Sequence, residues 1–196
     1  ITLAVMNGFH AEMRRTFVEN MPMITVNTTA AEGFTDLGSL MDRVGADEDV
    51  TGVAPFIRQP ALVTADRSWG APRSQPALVW GIEPSLVNDV QPLDEYLLPD
   101  PALLNALDTG IVPRVILGSD LATNLSAALG DTVILTAVND EAQLDEIEAK
   151  SVRFVVVGYF ETGMYEFDSR FVYMGLESAR ALFEYPRGGA TLVGPR

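Results

Sequence analysis

The side chains in this sequence that could carry chemistry are almost all carboxylates. There are 27 Asp and Glu residues, one histidine, His10, and no cysteine. A Ser-His-Asp triad would have to use His10, and the sequence has no Gly-x-Ser-x-Gly nucleophile elbow. One imidazole cannot form a His-based metal site without carboxylate ligands, so we interpret His10 as a helix residue without a catalytic role. The lack of cysteine excludes disulfides and thiol nucleophiles, and it fits either the cytosol or a periplasm.

The carboxylates are densest in two clusters, at residues 47–49 and 140–148. Neither cluster has the spaced ligands and central glycine of an EF-hand loop. We interpret both as solvated turns or helix faces. Paired carboxylates also suit acid–base catalysis, so a secreted carboxylate enzyme is one class of function to test.

A third polar group lies between two apolar runs near the C-terminus. Its members are Glu161, Tyr165, Glu166, Asp168 and Arg170. We favour a structural role over a catalytic one, because Gly163 permits a tight turn and Tyr165 and Phe167 can pack. Asp168 is expected to cap the turn or to pair with Arg170. The chain has no Walker A, Gly-x-Gly-x-x-Gly or kinase signature, so it shows no site for ATP.

Composition indicates a folded domain that does not bind nucleic acid. The 196 residues are 47% hydrophobic and 20% charged, with a net charge of −14. Phosphate binding needs clustered Lys and Arg, so nucleic acid and anionic membrane surfaces are both disfavoured. The acidity indicates solubility, or steering of a basic partner. No apolar run reaches eighteen residues, and the start at Ile1 suggests a piece of a longer protein.

The first part of the chain predicts a β-α-β-β unit after an N-terminal helix. Apolar residues at spacings of three and four predict a helix over 1–18. This helix either packs on its own domain or forms the outer end of a transmembrane helix. Further predictions are a strand at 23–27, a helix at 36–46, and paired strands at 56–65 and 76–82, with an edge or bulge at Pro60.

The second part predicts alternating strands and helices after a proline-rich connection, with no repeat of fixed period. Residues 83–113 are expected to form short helical turns, around 93–98 and 102–107. A strand at 113–117 leads to a helix capped by Ser119 or Asp120. The remaining predictions are strands at 132–138, 153–160, 171–174 and from 190, and a helix at 176–183.

Several sequence blocks together resemble the extracytoplasmic domain of the LolC/LolE family of lipoprotein-releasing ABC transporter permeases. The blocks are Val5-Met6-Asn7-Gly8-Phe9, Ile116-Leu117-Gly118-Ser119, Gly130-Asp131, Gly163-Met164-Tyr165-Glu166-Phe167-Asp168 and Tyr185-Pro186-Arg187-Gly188. The resemblance implies an α+β fold: a Porter-like β-α-β-β half-domain plus a Sabre-like mixed α/β subdomain, with an incomplete second Porter half. The implied units are 1–85 with the stalk helix, 86–185 as Sabre, and 186–196 as the start of the return to Porter.

The function implied by the resemblance is mechanical, with no catalytic residue, cofactor or metal. The domain would help to extract lipoproteins from the bacterial inner membrane and pass them to a LolA-like periplasmic chaperone. Its partners would be a second permease subunit and a cytoplasmic ATPase, with attachment to the membrane through transmembrane helices of the parent protein. The alternative is a MacB-like permease domain that exports another substrate.

The resemblance also implies two contact regions. Lipoprotein acyl chains would meet apolar side chains near the membrane, at Met6, Phe9, Met13, Phe17 and Met21, although burial of Phe9 and Phe17 in the domain core explains them as well. The chaperone-binding hook would lie at Asn139, Asp140, Glu141, Gln143 and Ile147. This segment lacks the Pro, Gly and Arg often found at the family's hook tip, so it fits a LolE-like subunit or a relative with other cargo.

Overall fold

A computed structural model describes residues 24–28, 33–34, 36–66, 71–138, 149–185 and 190–194. The strands are β1 (Ile24–Val26), β2 (Ala54–Ala65), β3 (Ser74–Ile82), β4 (Leu97–Leu98), β5 (Arg114–Gly118), β6 (Thr132–Val138), β7 (Ala149–Phe160), β8 (Phe171–Gly175) and β9 (Thr191–Gly194). The α-helices are α1 (Leu37–Gly45), α2 (Val87–Val90), α3 (Ser119–Leu125), α4 (Tyr165–Asp168) and α5 (Leu176–Phe183), with 3-10 helices at Leu93–Tyr96 and Pro101–Ala106. The predicted α+β class is confirmed.

Six of the strands close into a barrel. The order around it is β2-β3-β8-β5-β7-β6, and β6 pairs back onto β2. The β3–β8 and β5–β7 neighbours are parallel and the other four pairs are antiparallel. Outside this ring, β9 pairs with the start of β2, β1 pairs with β9, and β4 pairs with the end of β7. Strands from both predicted units therefore contribute to one sheet, and the division into units stays a prediction.

Alternation along the strands fills the barrel interior. Successive strand residues point to opposite faces, so every second side chain faces inward. In the second half of β2 these inward residues are Ala61, Val63 and Ala65, which are buried, while Leu62 between them is 41% exposed. Small, branched and long apolar residues from all six strands join in one core, which includes Ala77, Val79, Val115, Leu117, Val133, Leu135, Phe154, Val156, Val172 and Met174.

Two helices pack against the ends of the barrel, and each begins directly after a strand. β5 passes through Gly118 into α3, and β8 passes through Gly175 into α5. The two glycines have nearly the same dihedral angles, φ −59°, ψ 143° and φ −63°, ψ 148°. Both helices bury an alanine and a leucine at matching positions, Ala122 and Leu125 in α3, Ala179 and Leu182 in α5. The sequence shows no fixed-period repeat that would reveal this repeated unit, because the flanking residues differ.

The proline-rich connection covers the outside of the barrel. A second core forms between residues 83–107 and the outward side chains of β3, β8, β5 and β7. Its members include Trp80, Val90, Leu93, Leu104, Leu107, Ile116, Phe160 and Tyr173. The Gln91 side-chain amide donates to the Tyr173 hydroxyl at 3.2 Å, which gives both buried polar groups a partner. The short helical turns predicted here are confirmed at Leu93–Tyr96 and Pro101–Ala106.

Most predicted elements are confirmed, and two local details were wrong. The α3 helix has Gly118 as its N-cap and no side-chain capping bond, so neither Ser119 nor Asp120 caps it as predicted. The segment between Gly163 and Asp168, predicted as a tight turn, contains the four-residue helix α4. At Pro60 the predicted edge is present, because β2 pairs with β9 over 54–56 and with β6 over 61–65, which leaves Pro60 paired to β3 alone. Proline has no N–H to donate, so it suits this gap.

Candidate functional site

The predicted contact residues lie outside the part of the chain that the structure describes. This holds for the lipoprotein set Met6, Phe9, Met13, Phe17 and Met21, for the hook set Asn139, Asp140, Glu141, Gln143 and Ile147, and for His10. The N-terminal helix predicted over 1–18 lies outside it too. Both sets therefore stay predictions. What the structure places is the attachment of the hook segment, because Val138 pairs with Ala149 at the loop end of the β6–β7 hairpin.

The polar loop between β7 and β8 is held together by Asp168. This side chain is only 2% exposed. One carboxylate oxygen accepts from the backbone N–H and the hydroxyl of Thr162, both at 2.9 Å, and the other accepts from the N–H of Gly163 at 3.0 Å. Gly163 has φ +75°, a conformation that favours glycine. Of the two roles predicted for Asp168, capping of the turn is confirmed, whereas the alternative, pairing with Arg170, is not among the ion pairs of the described residues.

The same loop is anchored to the start of α3. A Cβ added at Gly118 would lie 2.0 Å from the backbone oxygen of Asp168, so the two segments are in direct contact. Phe167 is buried, with its ring 5.0 Å from that of Phe171. Tyr165, which was predicted to pack, is 67% exposed instead. The loop is thus a rigid structural connection, as favoured from the sequence, with Tyr165 presented to solvent.

An open groove runs beside this loop on the outer face of β2 and β3. It has a volume of about 530 Å³ and is lined by Pro60, Pro76, Ala77, Leu78, Glu166, Phe167, Arg170 and Phe171. We call this the outer groove. Its floor follows from strand register, since Pro60 lies opposite Leu78 and Leu78 opposite Phe171. Next along β2, Arg58 lies opposite Trp80, with its guanidinium 5.4 Å from the ring centroid.

Sequence reasoning missed the outer groove. Its floor consists of β2 and β3 residues that face away from the barrel core. Pro60 and Pro76 come to lie on neighbouring strands, opposite Leu78 and Leu62, only after the two strands are paired. The one available signal in the sequence was the presence of a proline inside each of the two predicted strands, Pro60 in the first and Pro76 in the second, since proline is uncommon within strands.

The described carboxylates do not form a metal-binding cluster. No group of three or more His, Asp or Glu residues in the described part of the chain could hold a metal ion. Residues 47–49 form an exposed turn in which the Asp49 N–H donates to the Asp47 carboxylate at 3.1 Å, as predicted for a solvated turn. Burial, with smaller effects of Glu83 and Glu177, raises the pKa of Asp108, and no nucleophile is placed beside that carboxyl by the contacts described.

Two tyrosines also have perturbed ionisation. Burial raises the pKa of the Tyr173 hydroxyl, and the Asp168 charge adds to this while the Gln91 hydrogen bond opposes it. Burial and the Asp131 carboxylate likewise raise the pKa of Tyr159, whose hydroxyl donates to the Ala127 carbonyl at 3.1 Å. Both hydroxyls are therefore neutral donors or acceptors that fix packing. Among the described helices, none has the length and apolar character needed to cross a membrane.

Comparison with known proteins places this geometry in a family. A match to the MacB-like periplasmic core domain family covers residues 1–193. The chain is 30% identical over 176 residues to the lipoprotein-releasing system transmembrane protein LolC of Xylella fastidiosa, which is 90% of this chain and 40% of that protein. It is 25% identical over 195 residues to the LolC of Neisseria meningitidis, which is 98% of this chain and 44% of the relative. The chain thus spans about two fifths of the length of these curated relatives.

A solved structure shares the fold. The extracellular domain of the noncanonic ABC-type transporter YknZ from Gram-positive bacteria aligns with a TM-score of 0.52 and 14% sequence identity. The alignment covers 87% of this chain and 82% of that one. At this identity the likeness concerns the fold alone.

Proposed function

The chain belongs to the MacB-like periplasmic core domain family, and from that premise we propose that it is the extracytoplasmic domain of a lipoprotein-releasing permease subunit. Domains of this family in ABC transporter permeases are not themselves catalytic. The observation that carries the proposal is the similarity to LolC proteins, which extends over 90% or more of this chain. In this role the parent protein would lie in the bacterial inner membrane, with this domain on the periplasmic side.

We propose that the domain works as a mechanical element. Its partners would be a second permease subunit and a cytoplasmic ATPase, which would supply the ATP hydrolysis. Movement of a stalk formed by residues 1–18 would shift the domain. Such transmission needs a body that does not deform, and a closed barrel whose ends are packed by α3 and α5 meets that need.

The finer division is also a proposal. Residues 1–85 and 186–196 would belong to a Porter-like part, and 86–185 to a Sabre-like part. Lipoprotein acyl chains would contact Met6, Phe9, Met13, Phe17 and Met21. The segment that includes Asn139, Asp140, Glu141, Gln143 and Ile147 would occupy the hook position for a LolA-like chaperone.

The second candidate is export of another substrate by a MacB-like permease. The observation that favours it is the hook segment, residues 139–150, which lacks the Pro, Gly and Arg often found at the tip in the resembling family. The fold serves both candidates, so only the cargo and the chaperone distinguish them.

Site-specific photocrosslinking in cells tests the proposal. Crosslinking residues would be placed in the full-length parent at Met6, Met13, Asp140 and Ile147. A matched control is Leu129, a surface leucine that is 46% exposed and lies in neither predicted contact set. We expect lipoprotein adducts at the first two positions, chaperone adducts at the next two, and neither at Leu129. If the protein assembles with its ATPase and gives none of these adducts, the lipoprotein proposal is wrong and the export alternative replaces it.

A further inference from the structure

We propose that the outer groove, together with Arg58 and Arg170, is a docking site for an extended segment of a partner polypeptide that combines carboxylates with large apolar side chains. The inference does not depend on the transport role proposed above. It rests on three features of the described residues: an apolar floor, two arginines without acidic partners, and a paired backbone.

The floor of the outer groove is an apolar surface exposed to solvent. Pro60 and Pro76 are exposed, Leu78 is half-buried, and Phe167 and Phe171 close one side. Leu62, opposite Pro76 in the strand register, extends the apolar surface and is 41% exposed. The residues are contiguous, unlike the isolated exposed leucines normal on protein surfaces, and contiguous apolar surface is typical of interaction sites.

The two arginines beside the outer groove indicate that its occupant carries carboxylates. The chain has a net charge of −14, yet two exposed arginines flank this apolar surface. The ion pairs within the described residues are Lys150–Glu184, Arg153–Asp66 and Arg180–Glu177, so neither Arg58 nor Arg170 takes part in one. A guanidinium beside an apolar surface binds carboxylates well, because it is weakly hydrated and offers several donors. Among the described residues that line the groove, Glu166 is the one acid.

Shape favours a polypeptide over a lipid. The groove is open along its length, so an acyl chain bound there would stay half in water, whereas a polypeptide can turn only its apolar side chains inward. Strand β3 is paired on both sides, with β2 and with β8, and the free edge of β2 is limited to residues 57–60, between its pairs with β9 and β6. This gap is short and ends at Pro60, which has no N–H to donate, so we expect the partner to be recognised through its side chains and not by strand addition.

The test is direct binding of labelled peptides to the purified 196-residue chain. The probe is a fluorescent peptide of Asp, Leu, Phe and Ser, and its twin has Lys in place of each Asp. We expect the acidic peptide to bind and its basic twin to bind at least about tenfold more weakly. Arg170→Glu and Leu62→Asp should each weaken binding of the acidic peptide about tenfold, the range for central interface residues.

Two control variants match these changes in chemistry and exposure. Arg43→Glu alters an exposed arginine on α1, and Leu129→Asp alters a leucine that is 46% exposed, close to the 41% of Leu62. Neither residue lines the outer groove, so neither variant should change the affinity. Thermal melting of all four variants checks that the fold is kept.

Three outcomes would overturn the proposal. The acidic and basic peptides could bind equally, or the groove variants could behave like the controls. Alternatively, vesicles of phosphatidylglycerol could bind in a manner that needs Arg170 and Leu62 while the peptides do not bind, which would assign the groove to lipid.

Discussion

Replacing Gly81 with alanine should strongly destabilise the barrel, because α5 packs directly on this glycine. A Cβ at position 81 would lie 2.2 Å from the Cβ of Ala179 and 3.5 Å from that of Ile57. Ala179 is fully buried, and its Cβ is fixed to the helix backbone, so the overlap cannot be relieved by a side-chain rotation. Overpacking of a core usually lowers the free energy of unfolding by about 1–3 kcal/mol, and we expect a loss of about 3 kcal/mol for Gly81→Ala.

A double variant, Gly81→Ala with Ala179→Gly, tests whether the destabilisation comes from overlap of the two Cβ atoms or from a position that tolerates no substitution. Ala179→Gly alone should cost about 2 kcal/mol, from helix propensity and one lost buried methyl group. In the double variant the methyl group of residue 81 occupies the space left by Ala179, whose Cα is 3.7 Å from the new Cβ. The loss of unfolding free energy in the double variant should therefore be smaller than the sum of the two single losses by about 1.5 kcal/mol or more.

Urea unfolding followed by tryptophan fluorescence measures these free energies. The control is Gly38→Ala in α1, where an added Cβ meets no atom within 4 Å. Alanine is the better helix former, so this variant should gain up to about 1 kcal/mol. A cost below about 0.5 kcal/mol for Gly81→Ala, or strictly additive costs in the double variant, would refute the packing of α5 described above.

Three further substitutions test other contacts of the fold. Asp168→Asn should lower the free energy of unfolding by about 2–4 kcal/mol in urea, because the amide turns an N–H toward a donor such as the Gly163 N–H. The matched control, Asp120→Asn in the first turn of α3, should change this free energy little. Asp108→Asn should be more stable than the parent at pH 7, since a raised pKa makes the charged form of Asp108 costly. That advantage should vanish as pH falls through the raised pKa, because the parent gains stability on protonation, and thermal melts from pH 7 to about pH 4 would show this. Tyr173→Phe leaves the buried Gln91 amide without its acceptor and should cost about 1–2 kcal/mol by the same unfolding assay.

Local patterns in the sequence were sufficient to predict most elements. The predicted helix 176–183 has the same bounds as α5, because its apolar residues recur at helical spacing and a strand ends at Gly175. The strand predicted at 132–138 also matches β6, since it is a short run rich in β-branched and apolar residues that follows the turn at Gly130-Asp131. In these elements the residues that decide the structure are neighbours in sequence.

The closure of the barrel could not be predicted, because it depends on contacts between distant segments. Leu78 pairs with Phe171 and Val115 with Val156, and no local signal shows which strands become neighbours. Partner choice follows from the total burial achieved by the six strands and two helices together. For Asp168 the sequence left two roles open, capping of the turn or pairing with Arg170. The contacts with Thr162 and Gly163 that decide for capping depend on how residues 162–168 fold back on themselves.

The barrel also explains how the two predicted contact segments could act together in a transporter. Residues 139–148 connect β6 and β7, and the Val138–Ala149 pair joins them to the ring of strands. Residues before Ile24 lead into β1, which reaches the same ring through β9 and β2. A force applied at either segment therefore passes through paired strands into one packed core. This shared attachment would provide the mechanical coupling that the proposed function requires, for either of the two proposed kinds of cargo.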